Sequence, residues 1–164
     1  MMTNRRIWVL LGPRTGDNNQ ALALAEALGL PFETRTLGYN LLRALGGRVL
    51  GKTLLSLEPA SRRRIDAPWP DLIIAIGRRS VPVARWIQHA NGGATRLVRI
   101  GNPRIDPGLF DLVLTTRQYP VAPGDNVILL PVAMSRFPKA PPAEADEERY
   151  LADLHRPHLL MAIG

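Results

Sequence analysis

The sequence predicts an α/β fold in which an open parallel β-sheet carries helices on both faces. Short apolar runs recur along the chain, each closed by glycine or a polar turn, and polar or helical segments separate them. The runs are continuous rather than alternating, which is typical of strands covered on both faces of a parallel sheet. The order of strand, loop and helix is that of a Rossmann-like, doubly wound sheet.

The first unit is predicted to be a strand, a polar loop and a helix. Residues 7–11 are the predicted strand, and a Gly-Pro pair ends it. Residues 12–20 are the predicted loop, because the apolar positions that share one helical face lie within residues 21–28. Asp17 with Gln20 three residues later resembles a capping box at the start of this helix.

The chain up to residue 138 repeats this pattern less regularly. Residues 40–57 are apolar and basic but interrupted by glycines, which predicts two short helical pieces that together form a surface-seeking segment. Ser80 is predicted to cap a helix over residues 81–90. Further strands are predicted at residues 32–37, 71–77, 97–101, 111–115 and 127–130.

The composition changes after residue 138. Residues 1–138 are predicted to form one Rossmann-like domain, and residues 139–157 a linker with an acidic, helix-like stretch. Residues 158–164 repeat the pattern of a strand followed by glycine. They are either a strand added to the same sheet or the start of a second α/β domain.

The composition also excludes several classes of site. The chain has 164 residues and no cysteine, which excludes disulfides, thiolate metal sites and a cysteine nucleophile. The histidines lack metal-ligand spacing, so no metal site is predicted. No apolar stretch approaches the roughly 20 residues that span a bilayer, and the N-terminus lacks the core of a signal peptide. A cytoplasmic protein, or one peripheral to a membrane, is therefore expected.

The charge is strongly basic. Lysine and arginine total 21 against 14 acidic residues, a formal charge of +7, and all the cations except Lys52 and Lys139 are arginine. Nucleic acid, an anionic membrane surface and phosphorylated small molecules are all compatible with such an excess. Nucleic acid is the least favoured partner, because no stacking aromatic residues or recognised motif accompany the arginines.

Arginine occurs in each of the four predicted loops at the carboxyl ends of the strands. Ligands of open α/β sheets bind at this edge, and arginine and helix N-termini both suit phosphate or carboxylate. An anion-binding cleft is the functional interpretation, and ordinary solvated arginines are the alternative. The candidate ligand-binding residues are Arg14, Thr15, Gly16, Asn18, Asn19, Gln20, Gly77, Arg78, Arg79, Ser80, Asn102, Arg104 and Arg117.

Asp17 is the one carboxylate in these predicted loops and therefore the candidate catalytic base, with helix capping as the favoured alternative. The Gly-x-Gly-x-x-Gly fingerprint and the phosphate-binding Gly-Lys-Ser/Thr motif are both missing from the first loop. No bound cofactor is therefore predicted.

Three blocks of the sequence carry a resemblance to a known family. They are GDNNQALALAEALG at residues 16–29, PDLIIAIGRRSVPVA at 70–84, and GNPR at 101–104 followed by FDLVL at 110–114. The chain resembles the mitochondrial-fission "elongated mitochondria" family of plants and its bacterial relatives, often described as predicted nucleoside-diphosphate-sugar epimerases. That family is similar in plan to two-domain glycosyltransferases of the GT-B type.

The resemblance implies that the chain is the N-terminal, acceptor-side half of such an enzyme. A nucleotide-sugar would then be a co-substrate held mostly by a missing C-terminal domain, and the isolated half would be inactive. The expected acceptor is an anionic or lipid-linked small molecule, held by the first loop together with Arg78, Arg79 and Arg104.

Two alternatives stay open. One is a non-enzymatic module of the mitochondrial-fission type, which would dock residues 41–57 and 62–64 on an anionic membrane, such as the inner-membrane surface. The other is the epimerase activity by which the relatives are often described.

Overall fold

The computed structural model describes residues 5–136, which form a six-stranded sheet. The strands are β1 (Ile7–Leu11), β2 (Phe32–Thr36), β3 (Leu72–Ile76), β4 (Arg96–Ile100), β5 (Leu112–Thr116) and β6 (Val127–Leu130). They lie in the order β2-β1-β3-β4-β5-β6, and every neighbouring pair is parallel. The predicted open parallel sheet is confirmed.

Helices cover both faces of this sheet. The α-helices are α1 (Thr15–Ala27), α2 (Gly46–Leu50), α3 (Pro59–Arg62) and α4 (Val81–Ala90). On one face, Ala21 and Ala25 of α1 pack with Val9, Ile74 and other residues of the central strands. Helix α4 packs on the opposite face, where it joins a second and larger core cluster. The continuous apolar runs of the sequence are therefore buried from both sides.

Helix α1 begins at Thr15, six residues before the predicted start. The capping prediction for Asp17 was wrong, because Asp17 lies inside the first helical turn and Arg14 occupies the N-cap without a side-chain capping bond. The first turns of α1 lie at the carboxyl edge of the sheet and do not contact the core. Polar residues are stable there, and the carboxylate of Asp17 suits the positive end of the helix dipole.

The two short helical pieces predicted within residues 40–57 are confirmed. A 3₁₀-helix at Leu41–Leu45 is followed directly by α2. Helix α3 was not predicted, since its four residues are too few to show a periodic pattern.

The strands on the β6 side of the sheet are connected without α-helices. A 3₁₀ turn at Pro107–Leu109 lies between β4 and β5, and the segment from β5 to β6 carries no helix. The predicted linker at 139–157 and the predicted strand at 158–164 lie outside the described residues. Within residues 5–136 no helix is both long enough and apolar enough to cross a membrane.

Candidate functional site: an arginine-lined cleft

A cleft of about 380 Å³ opens at the carboxyl edge of the sheet, where β1, β3, β4 and β5 end. This is the edge at which ligands of open α/β sheets bind. Its lining includes Gly12, Pro13, Arg14, Asp17, Asn18, Gln20, Tyr39, Ile76, Gly77, Arg78, Arg79, Arg99, Ile100, Gly101, Asn102, Arg104, Leu114, Thr115, Thr116, Tyr119 and Leu130.

The charge of the cleft is dominated by arginine. Among residues 5–136, five arginines line it, at positions 14, 78, 79, 99 and 104, against the single carboxylate of Asp17. The ion pairs found among residues 5–136 are Arg6–Glu33, Arg35–Glu33, Arg96–Asp111 and Arg136–Glu26. None of them involves an arginine of the cleft. The arginines of the cleft therefore form no ion pair with a carboxylate among residues 5–136.

Arg99 is the cation at the base of the cleft. It is 2% exposed and lies on β4. Its guanidinium donates to the carbonyl oxygen of Gly77 at 3.1 Å and to that of Asn102 at 3.3 Å. Its Nε–H is buried and has no hydrogen-bond partner among the described residues. The carbonyl groups at two strand ends thus hold the guanidinium in place without neutralising its charge.

Burial lowers the pKa of Arg99 to about 10, and the negative charge of the nearby Asp17 carboxylate opposes that shift. Arg99 therefore stays protonated at neutral pH. A cation in this low-dielectric position acts more strongly on a neighbouring anion than a solvated one does.

Tyr39 lies beside the arginines at the wall of the cleft. Burial raises the pKa of its hydroxyl, and the positive charges of Arg79 and Arg99 partly offset that increase. Tyr39 therefore stays neutral and keeps its hydroxyl proton available for donation.

The loop between β1 and α1 is held by Asn18. The Gly12 N–H donates to Asn18 Oδ1 at 2.9 Å, and Asn18 Nδ2 donates back to the Gly12 carbonyl at 2.8 Å. Both ends of this amide are therefore occupied. Asn18 was predicted as a ligand-binding residue, and its observed bonds fix the loop that carries Arg14.

The turn after β3 carries two adjacent arginines. Gly77 has a φ of +78°, a conformation that glycine adopts without strain, and it starts the 3₁₀ turn Arg78–Ser80. Ser80 occupies the N-cap position of α4 but makes no capping bond there. Its hydroxyl instead bonds the carbonyl oxygens of Ile76 at 2.9 Å and Gly77 at 2.8 Å. Ser80 therefore secures the turn that presents Arg78 and Arg79.

The side chain of Asn102 fixes the loop after β4 in a similar way. Its Oδ1 accepts from the Arg104 N–H at 2.7 Å, and its Nδ2 donates to the carbonyl of Pro120. Arg104 has a φ of +58°, which is uncommon for a residue with a side chain. The Asn102 amide stabilises that conformation and so holds Arg104 at the cleft.

Asp17 lies between the loop and the turn. Its Oδ2 would be 3.5 Å from a Cβ atom at Gly77, and its charge acts on Arg99. This places the carboxylate among the cations rather than at a helix cap. The general-base role of Asp17 stays a prediction.

The structure brings most of the predicted site residues together. Those that line the cleft are Arg14, Asp17, Asn18, Gln20, Gly77, Arg78, Arg79, Asn102 and Arg104. Those outside its lining are Thr15, Gly16, Asn19, Ser80 and Arg117. Helical spacing explains the division within α1, because positions 14, 17 and 18 share one face and positions 15, 16 and 19 do not. Arg117 lies beyond the end of β5 and is exposed.

Sequence reasoning missed Arg99 and the two tyrosines, Tyr39 and Tyr119. A signal for Arg99 was present, since it is the charged residue within the apolar strand predicted at residues 97–101, where burial of an unpaired charge is costly. No such signal marks the tyrosines. Among residues 5–136 no cluster of three His, Cys, Asp or Glu side chains is placed to hold a metal ion.

Comparisons with known proteins agree with the resemblance stated from the sequence. The family model described as Mitochondrial fission ELM1 matches residues 15–164. The chain is also 34% identical over 114 residues to the Uncharacterized protein RP120 of Rickettsia prowazekii (strain Madrid E). That match covers 66% of this chain and 30% of the rickettsial protein, so the chain spans less than a third of its relative's length. No solved structure matches the chain significantly. The chain belongs to the mitochondrial fission ELM1 family.

Proposed function

We propose that the cleft binds the phosphate groups of an anionic acceptor, and that the chain is the acceptor-side half of a GT-B-like, nucleotide-sugar-dependent glycosyltransferase. One observation supports this most strongly. Within the described part of the chain, five arginines line a single cleft with one carboxylate among them, and none of the five forms an ion pair.

The arrangement suits a diphosphate better than a single carboxylate. Arg78 and Arg79 lie on one turn, while Arg14 and Arg104 come from two other loops. Guanidinium groups from several directions can bind several phosphate oxygens at once. The volume of about 380 Å³ falls in the usual range for small-molecule pockets, so it has room for a diphosphate and part of an attached group.

In the proposed reaction the acceptor hydroxyl oxygen attacks the anomeric carbon of the nucleotide-sugar. The bond from that carbon to the diphosphate oxygen breaks, and the nucleoside diphosphate leaves with the electron pair. The hydroxyl proton passes to the carboxylate of Asp17, which lines the cleft. Arginine side chains stabilise negative charge on phosphate oxygens in such transfers.

An epimerase function receives less support. Epimerisation of a nucleoside-diphosphate-sugar commonly uses a bound nicotinamide, and the loop after β1 lacks the glycine fingerprint of that cofactor. The acceptor-binding function needs no such loop.

The proposal is tested by calorimetric titration of the chain with three ligands. Farnesyl diphosphate represents a lipid-linked acceptor, inorganic pyrophosphate the diphosphate alone, and uridine diphosphate N-acetylglucosamine the sugar donor. We expect farnesyl diphosphate and pyrophosphate to bind, and the nucleotide-sugar to bind at least about tenfold more weakly. Tightest binding of the nucleotide-sugar would assign the cleft to the donor, and binding of none of the three would reject the proposal.

A further inference from the structure

A patch of exposed leucine and valine side chains lies beside the cleft. We name residues 41–55 the apolar lobe; it contains the 3₁₀-helix Leu41–Leu45 and α2. Leu41 is 84% exposed and Val49 is 71% exposed. The large exposed apolar residues of the lobe are Leu41, Leu42, Leu45, Val49 and Leu55. Exposed apolar side chains grouped this closely in one segment mark an interaction surface.

The lobe is anchored to the domain, so the exposure of its leucines is built into the fold. Asn40 Oδ1 accepts from the Leu42 N–H at 2.9 Å, and Asn40 Nδ2 donates to the Leu55 carbonyl at 2.7 Å. Leu54 is buried in the larger core cluster. The Thr53 N–H donates to the carbonyl of Pro82 in α4. The apolar side chains are therefore held outward by a segment that is fixed at both ends.

The charge of the lobe indicates its partner. No acidic residue occurs between Glu33 and Glu58, while Arg48 and Lys52 are exposed within the lobe. Apolar side chains next to lysine and arginine, with no acidic residue among them, suit the interface of an anionic bilayer.

The lobe also borders the cleft. A Cβ atom at Gly47 would lie 3.0 Å from the Val81 side chain, so α2 packs tightly against the start of α4, next to the turn that carries Arg78 and Arg79. Tyr39, which lines the cleft, lies two residues before the lobe.

We propose that the apolar lobe docks on an anionic lipid bilayer and places the mouth of the cleft at the level of the lipid headgroups. Leu41 and Val49 enter the interface, while Arg48 and Lys52 meet the anionic headgroups. This docking does not depend on what the cleft binds, so it can be tested without a cleft ligand.

The test is flotation of the full chain with vesicles of phosphatidylcholine and phosphatidylglycerol in equal amounts. We expect the Leu41→Ser, Val49→Ser pair to lower the bound fraction at least about tenfold, because two apolar side chains no longer enter the interface. The matched control is the Leu129→Ser, Val132→Ser pair, whose side chains are 57% and 72% exposed outside the lobe. That control should bind like the unaltered chain.

Three outcomes would overturn the proposal. The lobe pair could bind as well as the unaltered chain, or the control pair could lose binding equally. Finally, the unaltered chain could fail to bind vesicles and instead form a dimer in light scattering. If the Leu41→Ser, Val49→Ser pair dissociates that dimer, the lobe binds a second copy of the chain. Circular dichroism on both pairs confirms that each variant is folded, and exposed positions of this kind tolerate serine.

Discussion

The guanidinium of Arg99 donates to the Gly77 carbonyl oxygen at 3.1 Å, which links the end of β4 to the turn that presents Arg78 and Arg79. One buried cation thus supports the turn and adds positive charge beneath it. The arginines of the turn are exposed or half-buried, while Arg99 is 2% exposed. The cleft therefore combines a fixed charge at its base with accessible charges at its rim.

Replacing Arg99 should weaken anion binding even though its side chain is almost fully buried. We expect Arg99→Met to lower the affinity for pyrophosphate at least about tenfold, since a buried charge acts through a low dielectric. Arg99→Lys keeps the positive charge, so its loss of affinity should be smaller. Calorimetry on folded protein measures both, and an affinity of Arg99→Met within about twofold of the unaltered chain would contradict the role assigned to Arg99.

The amide of Asn18 should contribute measurably to stability. Asn18→Ala removes two hydrogen bonds to Gly12 and should lower the free energy of unfolding by about 2 kcal/mol. Asn19→Ala is the matched control, because Asn19 is the next residue of the same helix and lies outside the cleft. Urea unfolding compares the two, and equal effects would show that the Asn18 bonds are not important.

A side chain at Gly77 should destabilise the fold. Its φ of +78° strains any residue with a Cβ atom, so Gly77→Ala should lower the free energy of unfolding by about 1–3 kcal/mol. At Gly12 a Cβ atom would meet nothing within 4 Å and φ is ordinary, so Gly12→Ala serves as the control. Thermal unfolding measures both. A Gly77→Ala protein as stable as the control would show that the turn relaxes freely.

Because of Tyr39, the free energy of unfolding should depend on pH above about 10, the usual pKa of tyrosine. Burial raises the pKa of Tyr39 in the folded protein, whereas in the unfolded chain it titrates near 10. The unfolded state therefore loses this proton first, and the stability contributed by Tyr39 is full below pH 10 and decreases as pH rises further.

Comparison with Tyr39→Phe isolates this contribution, because Arg99 is present in both proteins. Between pH 8 and pH 11 the unaltered chain should lose about 1.4 kcal/mol more of its free energy of unfolding than the variant does. Urea unfolding at the two pH values measures the difference. Parallel losses in both proteins would mean that Tyr39 titrates normally.

The parts of the fold that the sequence predicts well are those whose pattern reflects burial. The run at residues 72–76 is continuous and apolar because both faces of β3 are covered, and such runs are visible without a structure. The start of α1 was placed too late, at residue 21, because residues 15–20 lie at the carboxyl edge of the sheet and have no apolar face to show. Helical periodicity reflects contact with the core, so it gives no signal where a helical turn does not pack against the core.

The location of the candidate site was predictable from the sequence, but the roles of its individual residues were less so. Arginines in separate loops pointed to one sheet edge, and Arg14, Arg78, Arg79 and Arg104 line one cleft there. The amides and the serine could not be assigned from residue type, because the same groups bind ligands or backbone equally well. Asn18, Asn102 and Ser80 are bonded to backbone groups, and only coordinates show this.

The most direct test of the cleft compares two pairs of consecutive arginines. Arg78 and Arg79 line the cleft, whereas Arg63 and Arg64 are exposed outside its lining. The two double alanine variants change the net charge equally. Titrated with pyrophosphate, Arg78→Ala, Arg79→Ala should lose at least about tenfold in affinity, and Arg63→Ala, Arg64→Ala should stay within about twofold of the unaltered chain. Equal losses in both variants would show that the binding reflects net charge alone and would contradict an anion-binding cleft.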